Sequence, residues 1–261
     1  MDLRGICDPA TALTKFTLTR VAPAAELVPF VQHYWIVAWD LTGQPAHEQR
    51  VLPHPMVHVT FHPGRSRIAG VIRGHFTQRL EGRGHVLGVR FRPGGFRPFL
   101  GAPVSSITDR FLALDEVFPP EVKALDAAVS STCSPDELAA LSDAFFRVLA
   151  PPADPHTATV EELVTRVADD PALLRVDALA HDAGLGTRAL QRLFANYVGV
   201  GPKWVIRRAR IQEAAHRAAT GGSLDWPALA ADLGYSDQPH FIRDFTALVG
   251  TPPTRYAPRL R

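Results

Sequence analysis

The sequence predicts a two-domain protein, with an α+β N-terminal domain built on a small antiparallel sheet or barrel and an all-α C-terminal domain. Three observations predict this class. Strand-like patterns separated by glycines fill residues 50–92, a proline cluster interrupts the chain at residues 151–155, and helical periodicity occupies nearly everything after it. A chain of 261 residues is long enough for two domains of ordinary size.

The strand-like segment supplies the β core that we predict for the N-terminal domain. β-Branched residues alternate with other types over Val57–Phe61, and a second apolar run covers Val86–Phe91. Helical character returns over residues 104–130. A further helix is predicted over residues 134–149, because a serine suited to an N-cap is followed there by proline and two acids.

Pro151, Pro152 and Pro155 mark the predicted domain boundary, because proline interrupts both helices and central strands. We predict an N-terminal domain over residues 1–150, a linker over 151–156 and a helical domain over 157–261. The candidate helices of the last domain cover residues 157–169, 175–182, 187–196, 202–219, 226–233 and 237–248.

Two segments of the helical domain, residues 176–194 and 229–245, share one layout. Each has a short Ala/Leu-rich helix, a glycine followed by an apolar residue, a polar capping residue, and a second helix ending in phenylalanine. Gly184 and Gly234 suit a left-handed residue at the end of the first helix. Each segment is therefore predicted to be a helix-turn-helix unit.

The side chains around these turns have predicted structural roles. Leu185 and Tyr235 would fill the angle between the two helices of each unit. Thr187 in the first unit, and Ser236 or Asp237 in the second, would cap the following helix.

The second helix of each unit is amphipathic. In the first unit Leu190, Leu193 and Phe194 share the inner face, and in the second Phe241 and Phe245 do so. The outer faces carry Arg188, Gln191 and Arg192 in the first unit and Pro239, His240 and Arg243 in the second. One such unit is weak evidence for DNA binding, but two units joined by a basic helix are far more specific. Helices held about 34 Å apart enter successive major grooves on one face of DNA.

Charge is distributed unevenly along the last third of the chain. Eleven basic residues face five acidic ones over residues 183–261, whereas residues 154–182 hold two arginines and seven acids. A polyanion would prefer the C-terminal part, although an unevenly charged solvated surface explains the same counts.

Several other classes of protein are not expected from the sequence. It has no apolar run of about 18 residues and no signal-like N-terminus at Met1–Gly5, so we expect a cytoplasmic protein and no membrane partner. Cys7 and Cys133 form no disulfide framework. There is no nucleophile elbow, phosphate loop or paired-cysteine site, so we expect no catalytic residues, no metal and no cofactor.

The helical domain resembles the AraC/XylS family of transcription regulators over about residues 157–258. The resembling segments are Leu190–Phe194, Val198–Trp204, Arg207–Arg210, Asp232–Phe241 and Phe245–Tyr256. The resemblance implies seven helices that bind double-stranded DNA sequence-specifically, promoter activation or repression, and RNA polymerase as a partner.

The same resemblance implies roles for individual residues. DNA contacts are expected from Thr187, Arg188, Gln191 and Arg192 in the first unit, from Gln238, Pro239, His240 and Arg243 in the second, and from Arg207 and Arg208 between them. Arg207, Arg208 and Arg210 would hold phosphates, unless one of them pairs with an acid. Pro239 has no donor, so the first recognition helix is expected to dominate. Trp204 and Phe194 are expected in the core.

The N-terminal domain resembles that of one branch of this family, at Leu52–Gly64 and Gly88–Phe96. This implies a cupin-like β-barrel that senses a small-molecule effector or forms a homodimer. His54, His58 and His62 permit a metal site, but surface or hydrogen-bonded core histidines are the favoured interpretation. Arg90 and Arg92 would face an anionic effector or, more commonly for such residues, solvent.

Two alternatives to a ligand-responsive regulator remain open. One is a β-barrel enzyme or repair protein with a DNA-targeting tail. The other is an assembly module that pairs through helices in residues 121–149, using Leu138, Leu141, Phe145 and Leu149. Burial of these four side chains within their own domain is the favoured interpretation.

Overall fold

The structure is a computed structural model that describes residues 9–152, 154–220 and 225–256. The described strands all precede residue 113. They are β1 (Thr17–Val21), β2 (Val31–Asp40), β3 (His47–Val51), β4 (His58–Phe61), β5 (Arg67–Ala69), β6 (Phe76–Leu80), β7 (Arg83–Phe91) and β8 (Phe111–Leu112). Met1–Gly5, Cys7, and residues 221–224 and 257–261 of the basic segment lie outside the described residues.

Six of these strands form one antiparallel sheet in the order β1-β2-β7-β4-β5-β8. The long strands β2 and β7 lie at its centre and pair from Asp40–Arg83 to Val31–Phe91. Val59 and Phe61 on β4, and Leu87 on β7, are fully buried against the core. The strands predicted around Val57–Phe61 and Val86–Phe91 are therefore confirmed.

The sheet is open rather than closed. Among the described residues, β1 and β8 are its edges and no hydrogen-bonded ladder joins them, while β3 and β6 pair in a separate two-stranded ribbon. The N-terminal domain is strand-rich, as expected. Its described strands do not close into the expected cupin-like barrel.

The helices of the N-terminal domain lie beside this sheet. They are α1 (Pro9–Ala12), α2 (Arg97–Leu100), α3 (Val122–Ser131) and α4 (Pro135–Leu149). The prediction of helix over residues 104–130 was partly wrong, because that range holds two 3₁₀ turns and strand β8 before α3 begins. Strand β8 forms because its two residues pair with Ile68 and Ala69 on β5, a long-range contact that helical periodicity does not reveal.

Helix α4 begins as predicted, with Ser134 accepting a hydrogen bond from the Glu137 backbone N–H. Its apolar face packs on the core of its own domain. Leu138 is fully buried, and Leu141, Phe145 and Leu149 pack against the same cluster while partly buried. This observation favours internal burial of that face over the assembly-module alternative.

Most of the described chain after residue 154 is helical. The helices are α5 (Pro155–Asp169), α6 (Val176–Asp182), α7 (Thr187–Tyr197), α8 (Pro202–Thr220), α9 (Trp226–Asp232), α10 (Gln238–Val249) and α11 (Pro253–Tyr256). Helix α5 starts within the predicted linker, because Asp154 caps it and Pro155 occupies its first turn. Phe194, Trp204, Phe241 and Phe245 are all buried, which confirms the expected core positions.

Two large clusters of buried apolar side chains underlie this arrangement. One belongs to the sheet with α3 and α4, and the other to helices α5–α11. The helical cluster also takes in Leu52 and Val71 from the N-terminal domain. The two parts therefore share packed apolar surface in addition to the chain that joins them.

None of the helices among the described residues is both long enough and apolar enough to cross a lipid bilayer.

Candidate nucleic-acid interface

The two helix-turn-helix units, α6–α7 and α9–α10, turn with the same backbone geometry. Gly184 and Gly234 both have positive φ angles, 64° and 73°. The N–H of the residue after each glycine, Leu185 or Tyr235, donates to a carbonyl five residues earlier, at 2.9 Å in both units. Each turn thus ends its first helix with the left-handed glycine that the sequence predicted.

The second helix of each unit has one buried and one exposed face. Leu190 and Phe194 on α7 and Phe241 and Phe245 on α10 are fully buried. The exposed side chains include Thr187, Arg188, Gln191 and Arg192 on α7, and Gln238, Pro239, His240 and Arg243 on α10. The structure places these residues at the surface, and their contacts with DNA stay a prediction.

The two units differ in how the second helix is capped. Asp237 is the N-cap of α10, and its Oδ1 accepts from the His240 backbone N–H at 2.7 Å. The N-cap of α7 is Gly186, which has no side chain to cap with, and Thr187 is the first helical residue. Of the predicted caps, Asp237 is confirmed and Thr187 is wrong, because the helix begins one residue too early for it.

Helix α8 connects the two units, and three of its four arginines face different partners. The Arg207 Nη1 atom lies 3.4 Å from the Asp244 carboxylate on α10, so this arginine pairs with an acid. Arg210 donates to the Leu174 carbonyl and lies over the Tyr235 ring, 5.7 Å from its centroid. Both hold α8 against its neighbours.

Arg208 faces the N-terminal domain. It is 7% exposed, donates to the Pro53 carbonyl at 2.8 Å and to His54 Nδ1 at 2.9 Å, and also bonds Gln212 on its own helix. Burial, followed by the charge of Arg90, lowers the pKa of its guanidinium to about 9. In this arrangement Arg208 does not reach the surface, so the predicted phosphate contact would require it to leave these partners.

The N-terminal domain also contacts the first helix-turn-helix unit. Thr108 Oγ1 donates to the Gly199 carbonyl at 2.6 Å, and Arg97 Nε donates to Asn196 Oδ1 at 2.9 Å. Gly199 has a φ of 94° and lies against Val104 and Thr108 so closely that a Cβ atom there would approach them to within about 3 Å.

A second set of contacts reaches the other unit. The His75 backbone N–H donates to the Ala247 carbonyl at 3.0 Å, and Arg50 donates to the Gly250 carbonyl at 3.3 Å. Between the two units, Trp204 Nε1 on α8 donates to the Arg73 carbonyl at 3.3 Å. These contacts, together with those of Arg208, are called the domain contact below.

The N-terminal histidines form hydrogen bonds within the protein. His58 Nδ1 accepts from Trp35 Nε1 at 3.2 Å, and His54 accepts from Arg208. Burial, with a smaller effect of Arg90, lowers the pKa of His58 to about 3, and burial likewise lowers that of His54. His62 stacks on Trp39. Among the described residues no group of three or more His, Cys, Asp or Glu is arranged to hold a metal.

The two arginines considered for an anionic effector have protein partners. Arg92 pairs with Glu161 on α5 and donates to the Val28 carbonyl at 2.6 Å. Arg90 lies beside Met56 and His54. Arg92 therefore contributes to the contact between the two parts of the protein.

One group at this interface was not identified from the sequence. The Asp244 carboxylate on α10 lies among Arg207, Tyr235 and His240 and is almost fully buried. The only local signal is the spacing of four residues from His240, which places the two side chains on one face of a helix.

Comparison with family models gives two matches. Residues 179–259 match a helix-turn-helix domain, and residues 19–113 match a domain of unknown function, DUF6597. No curated protein matches the chain significantly.

Solved structures give distant similarities. The C-terminal domain of the response regulator YesN from Fusobacterium nucleatum is 19% identical, covering 38% of this chain and 98% of its own, with a TM-score of 0.34. An AraC-type regulator from Chromobacterium violaceum is 22% identical, covering 40% and 96%, with a TM-score of 0.35. ToxT from Vibrio cholerae O395 is 14% identical, covering 94% of each chain, with a TM-score of 0.40.

The region matched by the family model begins inside α6 and contains both turns, both exposed helix faces and the connecting helix α8. The chain therefore contains a helix-turn-helix domain at residues 179–259, joined to a strand-rich N-terminal part that matches a domain of unknown function.

Proposed function

We propose that this protein is a transcription regulator that binds double-stranded DNA sequence-specifically through α7 and α10. The observation that carries the proposal is the repeated unit itself. Both turns have the same hydrogen bonds, and both second helices bury an apolar face while exposing a polar one. The helix-turn-helix match over residues 179–259 supports the same class.

The dimensions of the helical domain suit successive major grooves. Helix α8 has 19 residues, which gives it a length of about 28 Å at the usual rise per residue. One turn of DNA is about 34 Å long, so two helices at opposite ends of such a connector suit grooves one turn apart.

The two helices are expected to contribute unequally. Arg188, Gln191 and Arg192 on α7 offer several donors to base edges and phosphates. On α10, Pro239 offers none, so hydrogen-bonded base recognition there rests on Gln238, His240 and Arg243. The target site should therefore contain two blocks of base pairs, one contacted by each helix, and the block contacted by α7 should be better defined than the block contacted by α10.

The N-terminal domain is proposed to modulate DNA binding through the domain contact. It bonds to the first unit at Gly199, to α8 at Arg208 and to the second unit at Ala247. A small-molecule effector that shifts any of these contacts would change how the two recognition helices are held. RNA polymerase and a second copy of the chain are the further proposed partners.

The alternative of an enzyme with a DNA-targeting tail draws on the N-terminal histidines. His54 and His58 are engaged by Arg208 and Trp35, which gives them structural partners. No observation on the described residues supports a reaction, so the regulator is the function that we propose.

This function is tested by selection from a random duplex DNA pool with the full-length chain. The salt concentration is about 0.15 M, because phosphate contacts alone bind weakly there. Enrichment of a motif with two blocks about one turn apart would support it. Enrichment of a single block would mean that α10 only anchors the protein. No enrichment, with or without cell extract as a source of effector, would overturn the proposed function.

A further inference from the structure

The Asp244 carboxylate is the meeting point of three side chains on α8, α10 and the turn before α10. Its Oδ1 lies 3.4 Å from Arg207 Nη1, and its Oδ2 lies 3.2 Å from the Tyr235 hydroxyl, which donates to it. The same Oδ2 lies 3.5 Å from His240 Nε2. A carboxylate with only 9% of its side chain exposed needs such partners, because burial of an unpaired charge is costly.

His240 lies one helical turn before Asp244, at the edge of the exposed face. Its side chain is 46% exposed. Its ring meets the Tyr235 ring edge to face, at a centroid distance of 5.3 Å. Its backbone N–H is held by the Asp237 cap. The imidazole is thus oriented by packing on one side and reaches solvent on the other.

The Asp244 carboxylate, 3.5 Å from His240 Nε2, favours the tautomer of the neutral ring that carries its proton on that nitrogen. Ionised carboxylates only accept hydrogen bonds, so a lone pair on Nε2 would face negative charge, whereas an N–H there is attracted. Of the other charged and titratable groups nearby, Tyr235 contacts the ring and Asp237 accepts from the His240 backbone N–H. Arg207 contacts Asp244, Arg210 lies over the Tyr235 ring, and Arg243 is exposed three residues further along α10. With the proton on Nε2, Nδ1 is left as a hydrogen-bond acceptor. Among the described residues no hydrogen bond engages Nδ1.

We propose that Asp244 is a positioning residue that fixes His240 as an acceptor towards DNA, so that α10 selects a base with an exposed amino group. In the major groove these bases are adenine, through N6–H₂, and cytosine, through N4–H₂. Guanine and thymine present only acceptors at the equivalent position. This inference rests on the proposed function and names the chemistry that α10 recognises.

Substitution of Asp244 by asparagine reverses the polarity of the contact with almost no change in shape. The amide oxygen would remain towards Arg207, which is a donor. The amide NH₂ would then occupy the position of Oδ2 and donate to His240 Nε2. That nitrogen must become the acceptor, so the proton moves to Nδ1 and the ring presents a donor to DNA.

The experiment is selection from random duplex DNA with the full-length wild type and Asp244→Asn. The base pair contacted by His240 is identified as the position at which His240→Ala loses the base preference of the wild type. At that position the wild type should enrich adenine or cytosine. Asp244→Asn should enrich guanine or thymine instead, by about fivefold or more, as one base contact gives. Tyr235→Phe retains the ring and Asp244, so it should keep the wild-type base class.

The block assigned to α7 is an internal standard in every selection. If the wild type enriches no block, the proposed function fails. If the α7 block is present but Asp244→Asn keeps the wild-type base, or if His240→Ala changes no position, this inference alone is overturned.

A second measurement does not depend on the folding of any variant. Long-range ¹H–¹⁵N spectra of the ring nitrogens in the free wild-type protein, recorded at a pH where His240 is neutral, distinguish the two tautomers. The expected spectrum shows His240 protonated on Nε2, and a proton on Nδ1 would overturn the inference.

Discussion

Substitution of Gly199 by alanine tests the contact between the N-terminal domain and the first helix-turn-helix unit. Gly199 has a φ of 94°, and a Cβ atom built there would lie 3.0 Å from Val104 Cγ1, 3.1 Å from Thr108 Oγ1 and 3.2 Å from the Val104 carbonyl oxygen. Gly184→Ala is a matched control, because Gly184 has a φ of 64° and a Cβ atom there meets nothing within 4 Å.

The expected magnitudes follow from these environments. A non-glycine residue in a left-handed conformation costs about 1–2 kcal/mol, and both variants carry this term. Only Gly199→Ala also forces a methyl group into a packed contact, which typically costs a further ~1–3 kcal/mol. The free energy of unfolding should therefore fall by about 2–5 kcal/mol for Gly199→Ala and by about 1–2 kcal/mol for Gly184→Ala.

Urea unfolding of the full-length chain, followed by tryptophan fluorescence, measures both values. Trp35 and Trp39 report on the sheet, and Trp204 and Trp226 report on the helices. Gly199→Ala should show the larger fall in midpoint, or separate transitions for the two parts. Equal shifts for the two variants would mean that Gly199 packs against nothing and that the N-terminal domain does not press on this turn.

Three further predictions concern base contacts, capping and pH. Gln191→Ala should reduce discrimination between the selected site and a mismatched site by about 1–3 kcal/mol in fluorescence anisotropy titrations. Lys123→Ala, which removes an exposed charge from the N-terminal domain, should leave that ratio unchanged. Asp237→Ala should lower the free energy of unfolding by about 1 kcal/mol in urea titrations, because α10 loses its N-cap. The pKa of His58 is about 3 in the folded protein, below its usual 6.5. The free energy of unfolding therefore keeps the full contribution of His58 above pH 6.5. It loses this contribution as the pH falls towards 3, because the unfolded chain takes up the proton first. His58→Gln retains an acceptor for Trp35 and should reduce the slope of the free energy of unfolding against pH. One group contributes at most about 1.4 kcal/mol per pH unit to that slope.

Each of these predictions has a result that would contradict it. Loss of affinity in Gln191→Ala that is equal for matched and mismatched sites would assign the residue to the DNA backbone. An unchanged midpoint for Asp237→Ala would mean that the cap contributes nothing to α10. An identical pH dependence for the wild type and His58→Gln would mean that His58 is not held neutral by burial.

The helical domain could be predicted from its sequence because its signals are local. Prolines at the helix starts, the Asp237 cap and the glycines at Gly184 and Gly234 lie within a few residues of the features that they determine. The inner faces of α7 and α10 follow from helical periodicity. Hence the predicted and observed ends of these helices differ by only one or two residues.

The N-terminal domain was harder to predict because its sheet depends on distant pairing. No strand was predicted before residue 50, yet β2 is the longest strand of the sheet. Apolar and polar residues do not alternate along Val31–Asp40, because Tyr34–Trp39 is an unbroken apolar run. Its richness in aromatic and β-branched residues was the available signal.

The environments of the α8 arginines show a second limit of sequence reasoning. Arg207 and Arg208 are adjacent in a basic segment, and the sequence predicts the same role for both. In the folded chain they point to opposite partners, Asp244 of the same domain and Pro53 of the other. Only tertiary structure separates such neighbours, because consecutive helical residues lie about 100° apart around the axis.

Sequence-specific binding through α7 and α10 can be measured as a ratio of affinities for two duplexes. Full-length protein is titrated, at about 0.15 M salt, against the duplex recovered by selection and against a permuted duplex of equal composition. The selected duplex should bind at least ~10³-fold more tightly. The Arg188→Ala variant should show a lower ratio. Equal affinities for the two duplexes would contradict sequence-specific binding, because binding would then rest on phosphate charge alone.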